Sequence, residues 1–149
     1  MSKLKDLKRK QLSEGLKAGM PVPIAKLGQR LRDIREGLEL TQKILAKKLG
    51  TSQAQLSRIE ENPETTTLKS LVKLGEALGC NFSALITSEK SLEEMINQQA
   101  KKKAEQMLKR TFANMAMEKQ DPGKEAYEFQ LKKLIAELTA NPGPEIWEE

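Results

Sequence analysis

Apolar residues recur at helical spacing through the central part of the chain. Steps of three and four residues join the first group into one face of a helix: Ile24, Leu27, Leu31, Ile34 and Leu38. Three further segments follow, and each begins at a residue suited to an N-cap, namely Thr41, Ser52 and Thr67. Gly50 and Gly79 stand where two of them should end. The pattern therefore predicts four consecutive helices between residues 24 and 79.

The three capped segments carry apolar residues that we expect to pack inward: Ile44, Leu45, Leu49, Leu56, Ile59, Leu68, Leu71, Val72, Leu74 and Leu78. Ser52 with Gln55 three residues later matches a capping box. The next segment, Cys80–Thr87, contains Phe82, Leu85 and Ile86, and its pattern fits a short helix or a strand equally well.

Two flanking regions differ from this centre. Residues 1–23 form a basic arm, with a short helix predicted over Ser2–Leu16 and an extended linker at Pro21-Val22-Pro23. The apolar pattern over residues 88–149 predicts two further helices. Asp121-Pro122-Gly123 separates them, and Asn141-Pro142-Gly143-Pro144 ends the second. A short tail with Trp147, the single tryptophan, remains at the end.

Composition and charge narrow the function classes. The chain of 149 residues has no histidine and one cysteine, which argues against catalysis and against a zinc site, so we expect no enzyme, cofactor or metal. No apolar run is long enough for a membrane span. Cys80 is read as a buried thiol in a reducing cytoplasm. The net charge is +4 over residues 1–20, +3 over 24–87 and −2 over 88–149, which favours a polyanion for the front of the chain.

The central stretch has a spacing with a physical reason at each position: Thr41-Gln42-x-x-Leu45-Ala46-x-x-Leu49-Gly50-Thr51-Ser52-x-x-x-Leu56-Ser57-x-Ile59-Glu60. A small residue allows two helices to cross closely, and a glycine turns the chain. An ordinary helical hairpin would explain the apolar positions. It would not explain why the polar ones are glutamines and an arginine. The stretch resembles the Cro/cI-like, XRE-type helix-turn-helix family, which implies an all-α, five-helix domain over residues 24–87 with an N-terminal arm and a C-terminal helical extension.

The resemblance also implies roles for individual residues. Ser52–Glu61 matches the recognition helix, which lies in the major groove of DNA. Its candidates for base contacts are Gln53, Ala54, Gln55 and Arg58. For Arg58 an ion pair on the surface is the alternative reading. The candidates for phosphate contacts are Gln42, Lys43 and Thr67, and Glu60 matches an acidic position of structural character.

Short motifs in the flanks resemble a narrower family, mobile mystery protein A. These motifs are Leu92-Glu93-Glu94-Met95, Met115-Ala116-Met117-Glu118-x-Gln120 and Ile146-Trp147-Glu148-Glu149. The resemblance implies an antitoxin-like autoregulator with a Fic-domain toxin as its partner. Ser57–Asn62 also fits a pattern found in Fic inhibitors, but it falls at the end of the predicted recognition helix, so we interpret it as part of that helix.

The sequence thus predicts a repressor that binds a palindromic operator as a homodimer, formed through Cys80–Ile86 or through the rear helices. A stand-alone homodimeric repressor without a toxin is the alternative. An interaction protein that has lost DNA binding is disfavoured by the intact polar residues Gln42, Gln53 and Arg58. Ile146 and Trp147 either fold back on the chain or anchor a partner, with acidic neighbours that would favour a basic groove on that partner.

Overall fold

The computed structural model describes residues 3–118 and 123–149. Within these ranges every regular element is helical and no strand occurs, so the all-α prediction is confirmed. The α-helices are α1 (Lys3–Ala18), α2 (Leu27–Gly37), α3 (Gln42–Leu49), α4 (Gln53–Glu61), α5 (Leu68–Ala77), α6 (Leu92–Met117) and α7 (Lys124–Ala140). Short 3₁₀ turns lie at Ile24–Lys26, Pro63–Thr65 and Pro144–Trp147. The chain divides into two compact units, Met1–Ile86 and Thr87–Glu149.

The first unit is built on a core from α2 to α5. Its buried apolar side chains are Leu31, Ile34, Leu45, Ala46, Leu56, Ile59, Leu71, Leu74 and Leu78. All but Ala46 belong to the predicted apolar stripes, and their removal from water is the main favourable term for folding. Other stripe residues lie at the margin of the buried face, because a domain this small cannot enclose every apolar side chain. The side chains that were expected inside but are exposed are Ile24, Leu38, Ile44, Leu68 and Val72.

Three helices begin at the predicted N-caps. The hydroxyl oxygens of Thr41, Ser52 and Thr67 each accept a hydrogen bond from a backbone N–H three residues later, at 3.1 Å. Such caps satisfy donors that have no partner within the helix. The reciprocal half of the capping box predicted at Ser52 does not form, because the Gln55 side chain accepts a hydrogen bond from the Thr51 hydroxyl at 3.1 Å instead.

Residues 80–87 form neither a helix nor a strand, so residues 24–87 hold four α-helices rather than five. Phe82 and Cys80 pack against the edge of the core without forming regular structure, and they account for part of the apolar character of this segment. Leu85 and Ile86 remain 68% and 97% exposed.

Helix α1 continues to Ala18, two residues beyond its predicted end at Leu16, and packs against α2. Leu12 packs against the core, and Arg9 Nε donates a hydrogen bond to the Gly37 carbonyl oxygen at 2.8 Å. Arg9 and Lys5 both contact the Glu39 carboxylate at 2.7 Å. The hydrogen bond from Lys5 holds the pKa of Glu39 below its usual value, and the charge of Arg9 adds to this effect.

The second unit is an α6–α7 hairpin with a folded tail. Ser91 and Glu94 form a capping box at the start of α6, a signal that the sequence contained and our reading missed. The buried side chains of α6 are Ala100, Ala104 and Leu108. The predicted break between the helices includes Asp121 and Pro122, which lie outside the described residues, and α7 begins after Gly123.

Candidate nucleic-acid interface

The outward side of α4 carries all four residues predicted to contact bases. Gln53, Ala54, Gln55 and Arg58 are exposed, whereas Leu56 and Ile59 on the opposite side of the helix are buried in the core. Helical periodicity places the polar residues and the buried apolar residues on different faces of α4, so no position has to serve both the core and a ligand. The polar face is therefore available to a ligand without any rearrangement of the core.

A tight turn holds α4 against α3. Gly50 adopts φ +70°, a backbone conformation that glycine reaches without the penalty other residues meet. The Thr51 N–H then donates to the carbonyl oxygen of Ala46 at 2.9 Å. Ala46 itself is 3% exposed, as expected for a small residue where helices cross. The turn predicted from the sequence is confirmed.

A buried ion pair links α2 to α4 behind this face. Arg35 Nε donates to Glu60 Oε1 at 2.6 Å, and its terminal Nη2 donates to Oε2 at 3.2 Å. Both residues are more than nine-tenths buried. Arg35 also donates to the Leu40 carbonyl oxygen at 2.8 Å, in the turn that leads to α3. The pair is bidentate, which fixes the relative orientation of the two helices as well as neutralising both charges.

Gln42 completes this network from α3. Its amide nitrogen Nε2 donates to Glu60 Oε2 at 2.8 Å, and the side chain is half-buried. Arg32 approaches the same oxygen at 3.8 Å. Arg35, Glu60 and Gln42 therefore tie together the three helices that present the polar face. The sequence reading missed Arg35, since a charged residue within a helix gives no local signal that it will be buried.

The three predicted phosphate contacts differ in their surroundings. Lys43 is exposed at the start of α3. Gln42 already donates to Glu60, and the Thr67 hydroxyl accepts from the Ser70 N–H and donates to Ser70 Oγ at 2.9 Å. Gln42 and Thr67 thus already form hydrogen bonds within the domain. The side chain of Lys43 is exposed and forms no hydrogen bond within the described part of the chain.

A glycine in α2 permits the close approach of α2 to α4. A Cβ atom at Gly28 would collide with the carbonyl oxygen of Glu60, and it would also lie 3.3 Å from Pro63. Any side chain at this position would push α4 away from α2, and the Arg35–Glu60 pair with it. The packing of α2 against α4 therefore requires a glycine at position 28.

The tail of the second unit separates its two predicted anchor residues. Ile146 is 1% exposed and packs within the chain, so it is not presented to a partner. Trp147 is 58% exposed. The tail thus folds back, as one of the two sequence readings proposed, but it leaves the indole accessible. The basic groove that we expected on a partner has a counterpart on the chain itself, since Lys102, Lys109 and Arg110 of α6 line a groove beside Trp147.

The described residues contain neither a cluster suited to a metal ion nor a helix suited to a membrane. Among residues 3–118 and 123–149, no group of three or more Cys, Asp or Glu side chains is placed to hold a metal ion. None of the helices described above has the length and apolar composition needed to cross a bilayer.

Comparison with known families bears on the same helices. Residues 31–85 match the model of the family HTH_3, described as helix-turn-helix. This part of the chain is a helix-turn-helix domain. The match includes α3, the Gly50 turn and α4, which carries the polar face.

Two curated proteins are similar to the chain over part of its length. An immunity repressor protein of Bacillus phage phi105 is 35% identical over 68 residues, which are 46% of this chain and 47% of the phage protein. A propionyl-CoA carboxylase regulator of Cereibacter sphaeroides is 36% identical over 62 residues, which are 42% of this chain and 13% of that protein. The chain therefore spans less than half the length of either relative. No solved structure matches it.

Proposed function

We propose that the protein is a sequence-specific transcriptional repressor that reads DNA with α4. The observation that carries this proposal is the exposed row Gln53, Ala54, Gln55 and Arg58 on a helix whose orientation is fixed from behind by a buried ion pair. The helix-turn-helix match over residues 31–85 and the names of the two relatives, a repressor and a regulator, support it.

The residue types on α4 suit the edges of bases in the major groove. An amide such as Gln53 or Gln55 can donate to and accept from adenine, and the guanidinium of Arg58 can donate two hydrogen bonds to guanine. Ala54 offers a methyl group to the methyl of thymine. Lys43, with Gln42 and Thr67 beside the groove, would contact phosphates, which set the register of the protein on DNA but carry no sequence information.

Selection from randomised duplexes tests the proposal directly. The full chain should enrich a palindromic sequence with half-sites about one helical turn apart and bind it in the nanomolar range. The affinity should fall as salt rises, because binding releases counterions from the phosphates. Enrichment of no sequence above the starting pool would contradict the proposal.

A homodimer is the expected binding form, because one domain of this kind offers a small interface and a palindrome matches a two-fold axis. Exposed apolar residues suit two contacts: Leu85 and Ile86 in the first unit, and Leu92 and Phe129 in the second. Light scattering at micromolar concentration should give the mass of a dimer. The substitution pair Leu85→Glu/Ile86→Glu should then give monomers if residues 80–86 form the contact, and leave the dimer intact if the rear helices form it. A monomeric mass for the unmodified chain would contradict the prediction.

The narrower role of an antitoxin-like autoregulator with a Fic-type toxin stays a prediction from the flanking motifs, and a stand-alone repressor is the alternative. A Fic signature in the neighbouring reading frame, followed by co-purification of the two products, would favour the first. A repressor of either kind acts on DNA, so we propose that the protein works in the bacterial cytoplasm.

A further inference from the structure

The C-terminal tail is fixed against α6 by three contacts. Ile146 is almost completely buried, Gln99 Nε2 donates to the Ile146 carbonyl oxygen at 2.7 Å, and Lys103 Nζ donates to the Glu148 carbonyl oxygen at 2.6 Å. These contacts hold the backbone on both sides of Trp147. The backbone that carries the indole is therefore held in place, which lowers the entropy that a ligand would have to remove on binding.

Trp147 is nevertheless more than half exposed. An indole gains much free energy from burial, and tryptophan is among the residues most enriched at the centres of protein interfaces. The tail buries the neighbouring isoleucine and leaves the larger apolar side chain in solvent. The free energy that burial of the indole would release is therefore only partly used in the free protein, and the rest is available to an intermolecular contact.

A groove of about 620 Å³ separates Trp147 from one face of α6. Lys102, Lys109 and Arg110 line it at helical spacing, with Gln106 between them. None of the three cations forms an ion pair with another residue of the described chain. The α6 side of the groove thus presents positive charge that is in no ion pair, beside one aromatic surface, while Glu148 and Glu149 line the tail side. An occupant should therefore bring an apolar group and a localised negative charge close together.

We propose that this groove binds an acidic segment of a partner protein. An apolar side chain of the segment would contact the indole of Trp147, and a carboxylate beside it would pair with Arg110 and Lys109. A guanidinium binds a carboxylate through two parallel hydrogen bonds, which gives direction to the contact as well as attraction. The partner is thus expected to be acidic at this contact, the opposite of the basic partner that the tail sequence alone suggested.

A nucleic acid fits the groove less well, although cations beside an aromatic ring would also suit one. Glu148 and Glu149 lie on the tail side of the same groove. Residues 88–149 carry ten basic and twelve acidic side chains, which leaves this region with a net charge of −2. A continuous line of phosphates would meet these carboxylates, whereas a peptide can place one or two acidic residues against α6 and keep the rest of its surface uncharged.

Selection from a phage-displayed library of random dodecapeptides tests the proposal on the full chain. The enriched peptides should contain Asp or Glu next to an aromatic or aliphatic residue. Each should bind about tenfold or more weakly to Trp147→Ala and to Lys109→Glu/Arg110→Glu, since loss of an aromatic anchor or of a charge pair at an interface commonly costs a factor of this size or more. Lys132→Glu/Lys133→Glu, which makes the same charge change on exposed positions of α7, is the matched control and should bind normally.

The single tryptophan supplies a second measurement. An enriched peptide that lacks tryptophan should protect the indole of the free protein from iodide quenching and shift its emission to the blue. Failure to enrich acidic peptides, or equal binding to Trp147→Ala, would overturn the proposal. Protection by a twelve-residue oligothymidylate that is lost in Lys109→Glu/Arg110→Glu would also overturn it and identify the groove as a nucleic-acid site. Operator binding by α4 is a separate readout, so the result is independent of the proposed function.

Discussion

Replacement of Glu60 by alanine should lower the free energy of unfolding of the first unit by about 3–5 kcal/mol, the usual cost of leaving one partner of a buried ion pair alone. Arg35 would keep its hydrogen bond to Leu40 but lose both contacts to the carboxylate. The amide of Gln42 would lose its acceptor as well. Because a domain of this size is stable by only about 5–15 kcal/mol, the loss is a large part of the total.

Urea unfolding followed by circular dichroism measures this effect, and amide exchange at Leu45 and Leu56 assigns the transition to the first unit. Glu61→Ala removes an exposed carboxylate from the same helix and should change the stability little. The double substitution Arg35→Met/Glu60→Leu should recover most of the loss, since apolar residues of similar size can replace a buried pair. A cost below about 1 kcal/mol for Glu60→Ala would mean that the pair contributes no more than an exposed one.

The second large effect concerns DNA. Gln53→Ala and Arg58→Ala should each weaken operator binding by about 1–3 kcal/mol, or about 5- to 150-fold in Kd, and each should relax the preference at particular bases. Both side chains are exposed, so the variants should fold normally. The double variant should keep only the weak, salt-dependent binding that phosphate contacts provide.

Competition of the operator against scrambled duplexes, at two salt concentrations, separates the two kinds of contact. Lys43→Gln should weaken binding to all sequences alike and reduce the salt dependence by about one counterion. Gln42→Ala should also weaken binding to all sequences, but it should lower the thermal stability too, because its amide contacts Glu60. Unchanged operator affinity and footprint in the Gln53→Ala/Arg58→Ala variant would show that α4 does not read the bases.

The parts of the fold that the sequence predicts well depend on local rules. Thr41, Ser52 and Thr67 cap the helices as expected, and Gly50 makes the turn, because each needs only its nearest neighbours along the chain. The exposure of the residues on α4 follows from the same periodicity that buries Leu56.

The features that the sequence did not reveal depend on contacts between distant segments. Arg35 and Glu60 are 25 positions apart, and nothing in either neighbourhood shows that their charges will meet in the core. Residues 80–87 pack Cys80 and Phe82 against the core and leave Leu85 and Ile86 exposed, an arrangement that periodicity cannot distinguish from a short helix. The folded tail is similar, since Gln99 and Ile146 are 47 positions apart and meet only because α7 and the tail pack against α6.

The position of the ion pair has a consequence for how such a regulator changes its target. Arg35, Glu60 and Gln42 set the angle of α4 from its inner side, and none of their hydrogen bonds or ion pairs involves the outward residues at 53, 54, 55 and 58. Under the proposed function, substitutions on the outer side would therefore alter the preferred operator without a compensating change in the scaffold. Duplicated copies of the gene could diverge toward new operators through a few such changes. By the same reasoning, the outward residues of another recognition helix could be grafted onto α4 while the packing of α2 to α5 is kept.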